Sequence, residues 1–146
     1  MLVSVLAYAG LRPWSEAVTL AWDDVRERTL RVYASKTRRE RTIDLLAPLR
    51  ADLAEWRLAC GRPGDRALVL PYSGRAWTDH DVRNWRRRVW KPAIKACELD
   101  PAIVPYDLRH SFASLLIHEK RLSIVEIAEQ MGHALTMTSD TDDHVT

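Results

Sequence analysis

Four residues from distant segments of the chain could together hold and activate a phosphate group. Arg12 lies in AGLRPWSEAVTL, where we expect it at a helix start beside Gly10, a glycine that keeps the approach open. Arg109 lies in PYDLRHSFASLLI, in the first turn of a predicted helix. Lys36 is expected at the tip of a hairpin, and His133 follows a glycine that ends a helix. Arginine suits bidentate contact with phosphate oxygens, and lysine and histidine can move protons, so the set predicts a phosphate clamp.

Each of these residues also has an ordinary structural explanation. An arginine at a helix start is usually a surface residue, and a lysine in a turn is usually solvated. A glycine before a histidine is usually only a helix C-cap. The order and spacing of all four residues in one chain favour the clamp over these separate explanations.

Mostly helices are predicted to position these residues. Apolar residues at helical spacing predict a first helix that ends at Gly10, and Pro13 suits the start of a second helix that continues to about Trp22. The alternation in TLRVYAS, a basic turn and the segment RTIDL predict one hairpin. The predicted fold is therefore mainly α with a small antiparallel β-sheet (α+β), in a single domain of residues 1–146.

The second half of the chain is predicted to be helical, with one short apolar strand or extended piece at ALVLP. Pro48 opens a helix through about Arg57, and Thr78 carries a capping signal for the next helix. A further helix is predicted from about Asp107 to Glu119, and Ser123 caps the last one. The apolar residues expected to face the core are Val82, Trp85 and Val89 in the helix after Thr78, and Ile124, Ile127 and Ala128 in the last helix.

The composition indicates a soluble globular protein with local basic patches. Of the 146 residues, 47% are hydrophobic and 29% are charged, and the formal net charge is only +2. The basic residues nevertheless cluster in KTRRER and RNWRRRVWK. This pattern fits one anion-binding face, although two solvated charged surfaces remain an alternative.

The sequence predicts neither a metal-binding site nor a membrane-spanning segment. Cys60 and Cys97 lack the spacing of a zinc site and are expected to be reduced thiols in a cytoplasmic protein. The apolar start MLVSVLAYAG has no basic segment before it, so we interpret it as a core helix and not as a signal peptide. No stretch approaches the roughly 20 apolar residues that span a bilayer.

Taken together, the motifs resemble those of the catalytic domain of the tyrosine recombinase (phage integrase) family. GLR around Arg12 with Glu16 is similar to the first box of that family, Gly-Leu-Arg-x-x-Glu. SKT around Lys36 is similar to its hairpin lysine, YDLRHSFA around Arg109 to its second box, and MGH ending at His133 to its later Gly-His. The resemblance covers nearly the whole chain and implies a recombinase catalytic-domain fold.

The resemblance also implies a mechanism. In this family a tyrosine hydroxyl attacks a scissile DNA phosphate, a 3′-phosphotyrosyl intermediate forms, and a 5′-hydroxyl leaves; a second 5′-hydroxyl then reverses the step. By position, Arg12 and Arg109 would hold the non-bridging oxygens, Lys36 would protonate the leaving oxygen, and His133 would hydrogen-bond the phosphate. No metal ion or other cofactor is implied, because the phosphotyrosine conserves the bond energy.

Two residues depart from the family pattern. Tyr106 stands where the second box commonly has histidine, and a phenol, with a pKa near 10, is a poorer proton shuttle at neutral pH. Asp142 stands at the nucleophile position in MTSDTDDHVT, and no tyrosine follows Tyr106 in the sequence. A carboxylate would be repelled by the phosphodiester, and an acyl phosphate would hydrolyse. Strand transfer by this chain alone is therefore not expected, although Asp142 also fits an ordinary solvated helix residue.

The same resemblance leads us to expect a catalytic domain truncated at both ends. Members of the family usually carry an N-terminal core-binding domain and a C-terminal docking segment, and neither is expected in residues 1–146. Double-stranded DNA is the expected partner, and full-length recombinase subunits are a second one. The residues expected to contact DNA outside the clamp are Arg38, Arg39, Arg86, Arg87 and His110.

The sequence leaves the function open among four hypotheses, so enzyme status is undecided. The first is a recombinase catalytic domain for DNA integration or recombination that lacks its own nucleophile. The second is a non-catalytic DNA-binding or recombinase-interacting module. The third is an active enzyme that receives its tyrosine from another subunit, and the fourth is a generic helical scaffold.

Overall fold

The computed structural model describes residues 1–34, 38–119 and 122–132. This part of the chain is mainly helical and carries a two-stranded antiparallel sheet, which confirms the predicted α+β class. The elements are α1 (Leu2–Ala9), 3₁₀ helices at Ala17–Thr19 and Trp22–Asp24, β1 (Thr29–Ala34), β2 (Arg39–Asp44), α2 (Ala47–Ala59), α3 (Asp79–Trp85), a π-helical turn (Arg86–Trp90), α4 (Lys91–Ala96), α5 (Asp107–Glu119) and α6 (Ile124–Met131).

The hairpin forms where the alternation predicts it. Its register runs from the pair Thr29–Asp44 to the pair Ala34–Arg39. Leu30, Val32 and Ile43 are buried on the inner face, as expected for strands with one face on the core. β2 begins two residues earlier than the predicted segment, because Arg39 still pairs with Ala34 across the turn.

Two apolar clusters bring the ends of three helices together. Buried residues of α1, α2 and the hairpin form the larger cluster. Phe112 and Leu116 of α5 form the smaller cluster with Ile127 and Met131 of α6. Since α1 also packs along α5, the end of α1, the start of α5 and the end of α6 meet at one place.

The predicted helix from Pro13 is wrong. Residues 11–24 form turns and two short 3₁₀ helices instead. The amides of Glu16 and Ala17 both bond to the carbonyl of Arg12, at 3.1 and 3.0 Å, which closes a tight turn. The chain then extends, and Val69 N donates to Leu20 O at 2.9 Å, so ALVLP is extended and attached by an isolated bridge between Ala21 and Leu68. Pairing between distant segments therefore overrides the helical pattern here.

The capping signal at Thr78 is confirmed, and the predicted helical face is confirmed in part, since Trp85 packs against the core. Thr78 Oγ1 accepts from Asp81 N at 3.2 Å, and Asp81 Oδ2 accepts from Thr78 N at 2.9 Å. The π-helical turn adds a residue to the helix, which rotates the helical face beyond the turn. Val89, predicted to face the core, is half exposed, and Trp90 is buried in its place.

The last helix agrees with the sequence in its ends and in most of its face. Ser123 caps α6, and Gly132 ends it with φ 70°. Ile127 and Ala128 are buried as predicted, but Ile124 is 68% exposed because it begins the helix one turn before the residues that reach the core.

Within the described residues, no helix is both long enough and apolar enough to cross a bilayer. Cys60 and Cys97 are free and exposed thiols. No group of three or more potential metal ligands occurs in this part of the chain.

Candidate phosphate-binding site

One buried carboxylate organises the arginines at the meeting point of the helices. Glu16 is 1% exposed. Its Oε1 accepts from Arg12 Nη1 at 2.6 Å and from Arg41 Nη1 at 3.1 Å, and its Oε2 accepts from Arg41 Nη2 at 2.8 Å. Three residues separate Arg12 from Glu16, one more than in the Gly-Leu-Arg-x-x-Glu box, yet the tight turn still brings the two together.

The two arginines keep Glu16 ionised. Burial alone would raise the pKa of the Glu16 carboxyl, but the hydrogen bonds and charge of Arg41, and then of Arg12, lower that pKa below its ordinary value. A buried carboxylate that loses such partners costs about 3–5 kcal/mol. The arrangement therefore holds a fixed negative charge between two guanidinium groups.

Arg109 joins the same centre from the first turn of α5. It is fully buried, its Nη1 donates to Gly10 O at 2.5 Å, and its Nη2 donates to Met131 O. Burial, and next the positive charge of Arg12, lower the pKa of Arg109 to about 10, so it stays charged at neutral pH. We call Arg12, Glu16, Arg41 and Arg109 the arginine–glutamate centre.

Gly10 has a different role from the one predicted. Its φ is 63°, and a Cβ at this position would overlap the ring of Phe112. The glycine therefore does not keep an approach open. Its lack of a side chain lets α5 pack closely enough for Arg109 to reach the Gly10 carbonyl.

Tyr106 and His110 flank Arg109 along the chain. Tyr106 is 4% exposed, and its charge interaction with Arg109 acts to raise the pKa of that arginine. The rings of Tyr106 and His110 meet edge to face, with centroids 6.2 Å apart. His110 is exposed, so of these two side chains His110 is the one that a ligand can reach.

The arginines predicted to contact DNA divide into two groups. Arg38 and Arg39 are exposed where the hairpin turns. Arg86 is half-buried, with its guanidinium carbon 5.6 Å from the ring centre of Trp14, and Arg87 is exposed and donates to Asn84 at 3.1 Å. We call the arginines of α3 and the π-helical turn the basic helix face; its members are Arg83, Arg86, Arg87 and Arg88.

The structure therefore brings Arg12, Arg109 and Tyr106 together. Lys36, His133 and Asp142 lie outside the described residues, so their predicted roles remain predictions.

Sequence reasoning missed Arg41, which it placed in the basic run KTRRER as a surface residue. Its side chain is only 11% exposed and faces Glu16. Its Nε also donates to Gln130 O, in the last turn of α6, at 3.0 Å. The strand period contained the signal, because Arg41 lies on the same face of β2 as the buried Ile43.

Comparisons with known proteins find a matching family and a similar protein sequence. Residues 1–141 match the model of the phage integrase family. Tyrosine recombinase XerD of Corynebacterium glutamicum is 30% identical over 151 aligned positions, which cover 99% of this chain and 47% of that protein. The chain thus spans about half the length of this relative.

Solved structures share the fold. The integrase of transposon Tn1549, determined with a circular intermediate DNA, superposes with a TM-score of 0.74 and 22% identity over 99% of this chain and 54% of that one. The site-specific recombinase XerH, bound to its difH substrate, gives 0.69 and 25% over 94% of this chain and 40% of that one. With the match to the family model over almost its whole length, the chain belongs to the phage integrase family of tyrosine recombinases.

Proposed function

We propose that this chain is a recombinase catalytic domain that binds a DNA backbone phosphate at the arginine–glutamate centre and that does not form a covalent DNA linkage by itself. The resemblance to the family assigns Asp142 to the nucleophile position, and residues 107–146 contain no tyrosine. The partner is double-stranded DNA, and full-length recombinase subunits are a second partner in the same proposal. A cytoplasmic location is part of the same proposal.

The observation that carries the proposal is an excess of positive charge at one place. Arg12, Arg41 and Arg109 surround a single carboxylate, that of Glu16. The positive charges of this centre therefore outnumber its negative charge, and part of the Arg12 side chain, 31% of it, is open to solvent. A fixed cluster of guanidinium groups of this kind favours a phosphate and stabilises charge that develops on it.

The roles of the individual residues follow the family mechanism. Arg12 contacts a non-bridging oxygen directly. Arg109, which holds the carbonyls of Gly10 and Met131 in the structure, adds its charge from the buried side. Lys36 and His133 are proposed as the proton donor and a hydrogen-bond donor. Known relatives support the substrate class, since XerH and the Tn1549 integrase were both determined with DNA.

Covalent capture on a nicked suicide duplex tests the proposal. The unchanged chain should bind the duplex without forming a covalent adduct, and Asp142→Tyr should form one. Removing a nucleophile from an otherwise intact site costs on the order of 10⁶-fold in rate. A covalent adduct formed by the unchanged chain alone would contradict the proposal. In a separate reaction, the unchanged chain is mixed with a clamp-deficient relative that carries the tyrosine. Capture of that relative on the duplex would indicate a shared tyrosine.

Binding to the duplex must also depend on the centre. Arg12→Ala should weaken binding while the fold stays intact, because Arg41 still neutralises Glu16. Binding that is unchanged by Arg12→Ala would contradict the proposed site.

The exposed basic helix face favours a second candidate, a non-catalytic module that binds DNA or a recombinase. In that case Asp142→Tyr would form no adduct. DNA affinity would still fall steeply with salt, with a log–log slope of about −0.9 for each phosphate contact.

A further inference from the structure

The guanidinium group of Arg41 contacts both the Glu16 carboxylate and the last turn of α6. It bonds both oxygens of Glu16, at 2.8 and 3.1 Å, and its Nε holds Gln130 O at 3.0 Å. A Cβ placed on Gly132 would lie 3.0 Å from Arg41 Nη1. All three nitrogens of the Arg41 guanidinium are thus fixed by protein atoms, so this group is not positioned to receive a ligand.

Arg12 leaves more of its side chain available to a ligand than Arg41 does. The side-chain bond of Arg12 to Glu16 uses one nitrogen, Nη1, on one oxygen of the carboxylate, and almost a third of the Arg12 side chain is exposed. Arg41 is 11% exposed and takes both carboxylate oxygens. Glu16 is therefore neutralised mainly by Arg41.

We propose that Arg41 is a positioning residue of the phosphate-binding site, which neutralises Glu16 so that the charge of Arg12 remains available to the DNA phosphate. The proposal rests on the function proposed above. Without Arg41, Glu16 has Arg12 as its partner, so the carboxylate would hold Arg12 and cancel its charge. With Arg41, the buried carboxylate orients Arg12 without consuming its charge.

The contact with α6 keeps Arg41 in this role. The bond from Arg41 Nε to Gln130 O holds the Arg41 guanidinium beside Glu16, so that this group does not turn toward an incoming phosphate. The same contact fixes the end of α6 immediately before the sequence position of His133. Arg41 of β2 thus neutralises the carboxylate beside Arg12 and also fixes the end of α6, where the Gly-His motif begins.

Fluorescence anisotropy with a labelled duplex, together with thermal unfolding, tests this inference. Arg41→Met should lower duplex affinity roughly tenfold, the size expected for losing one charge-assisted contact. Adding Glu16→Gln to Arg41→Met should restore most of the affinity, since the centre then regains the net charge that it has in the unchanged chain.

Two further variants separate charge from structure. Arg41→Lys keeps the charge and should keep most of the affinity, even though it cannot reproduce the bidentate geometry. Arg31→Met is the matched control, because Arg31 lies on the same hairpin and pairs with Asp24 and Glu40 on the surface. It removes the same charge but should change affinity less than about threefold, since an exposed charge is screened by salt. If Arg41→Met does not fold, the uncharged pair Glu16→Gln/Arg41→Met serves, and it must bind DNA within severalfold of the unchanged chain.

The outcomes are distinct. Arg41→Met that folds and binds DNA as the unchanged chain does would overturn the inference and leave the proposed function standing. Weak binding by both the Arg41→Met variant and the double variant would also overturn it, since a purely structural role predicts no rescue. If Arg12→Ala does not change the duplex affinity of the otherwise unchanged chain, the proposed function itself is contradicted, and the role of Arg41 with it.

Discussion

The arginine–glutamate centre and the basic helix face contain similar residues but organise them differently. In the centre, buried and partly buried guanidinium groups are fixed by a carboxylate and by main-chain carbonyls. On the basic helix face, Arg83, Arg87 and Arg88 are exposed, and Arg87 makes only one bond, to Asn84, among the described contacts. Clustered charge in a sequence therefore predicts attraction of an anion, whereas only charge held in place can recognise one phosphate.

The largest difference between the two regions is expected in chemistry. In the Asp142→Tyr variant, Arg12→Ala should slow covalent adduct formation by about 10²–10³-fold, the cost of removing one fixed donor from a transition state. Arg87→Ala should slow it less than tenfold. Adduct formation on the nicked duplex measures both rates, and equal losses would show that the two regions do not differ in the way described.

The second difference is expected in stability. Gly10→Ala forces a non-glycine residue to φ 63° and drives its Cβ into Phe112, beside the carbonyl that Arg109 holds. We expect a loss of about 2–5 kcal/mol in the free energy of unfolding. Gly74→Ala is the control, because Gly74 has φ 79° but nothing within 4 Å of a Cβ, and it should lose only about 1–2 kcal/mol. Urea denaturation compares the two variants, and similar losses would contradict the close approach at Gly10.

Acid should lower the stability that the arginine–glutamate centre contributes, because it protonates Glu16, whereas it should not affect the exposed arginines. The pKa of Glu16 is lower in the folded protein than the ordinary glutamate value of about 4.3, so its stabilisation is present above that value and is lost as pH falls through the folded pKa. Glu16→Gln should flatten this acid limb of the stability curve, whereas the exposed Glu27→Gln should not. Part of the limb should remain, because Arg75 bonds to Asp81 and lowers the pKa of that carboxyl too.

The smallest effect is expected on the basic helix face. Arg87→Ala should lower duplex affinity less than tenfold and should reduce the log–log salt slope by about 0.9, because it removes one contact with the backbone. The loss should be the same for unrelated duplex sequences. A sequence-dependent loss would show that Arg87 contacts base edges, and no change in slope would place it away from DNA.

The sequence predicted the elements whose ends carry a local signal. Thr78, Ser123, Gly10 and Gly132 mark helix ends through caps that depend on neighbouring residues alone. Two features were missed because distant contacts decide them. The predicted helix after Arg12 gives way to extended chain at Leu20, whose carbonyl accepts from Val69 N, and the π-helical turn places Trp90, and not Val89, in the core.

The candidate site was predicted in part for the same reason. Arg12 and Arg109 belong to motifs that stand out in the sequence. Arg41 belongs to a run of charged residues, where only the strand period separates an inward arginine from an outward one. Its partner Glu16 was noted as part of a motif, but its burial between two arginines depends on a contact across 25 positions of the chain.

The bonds of Arg109 and Arg41 also determine when the site forms during synthesis. Arg109 reaches back 99 positions to Gly10, and Arg41 reaches forward 89 positions to Gln130. Contacts this distant in sequence form only after long loops close, so they belong to the late steps of folding. A nascent chain on the ribosome that ends before Gln130 has neither the Arg41–Gln130 nor the Arg109–Met131 bond. The arginine–glutamate centre is therefore complete only once nearly all of residues 1–132 have been made and folded.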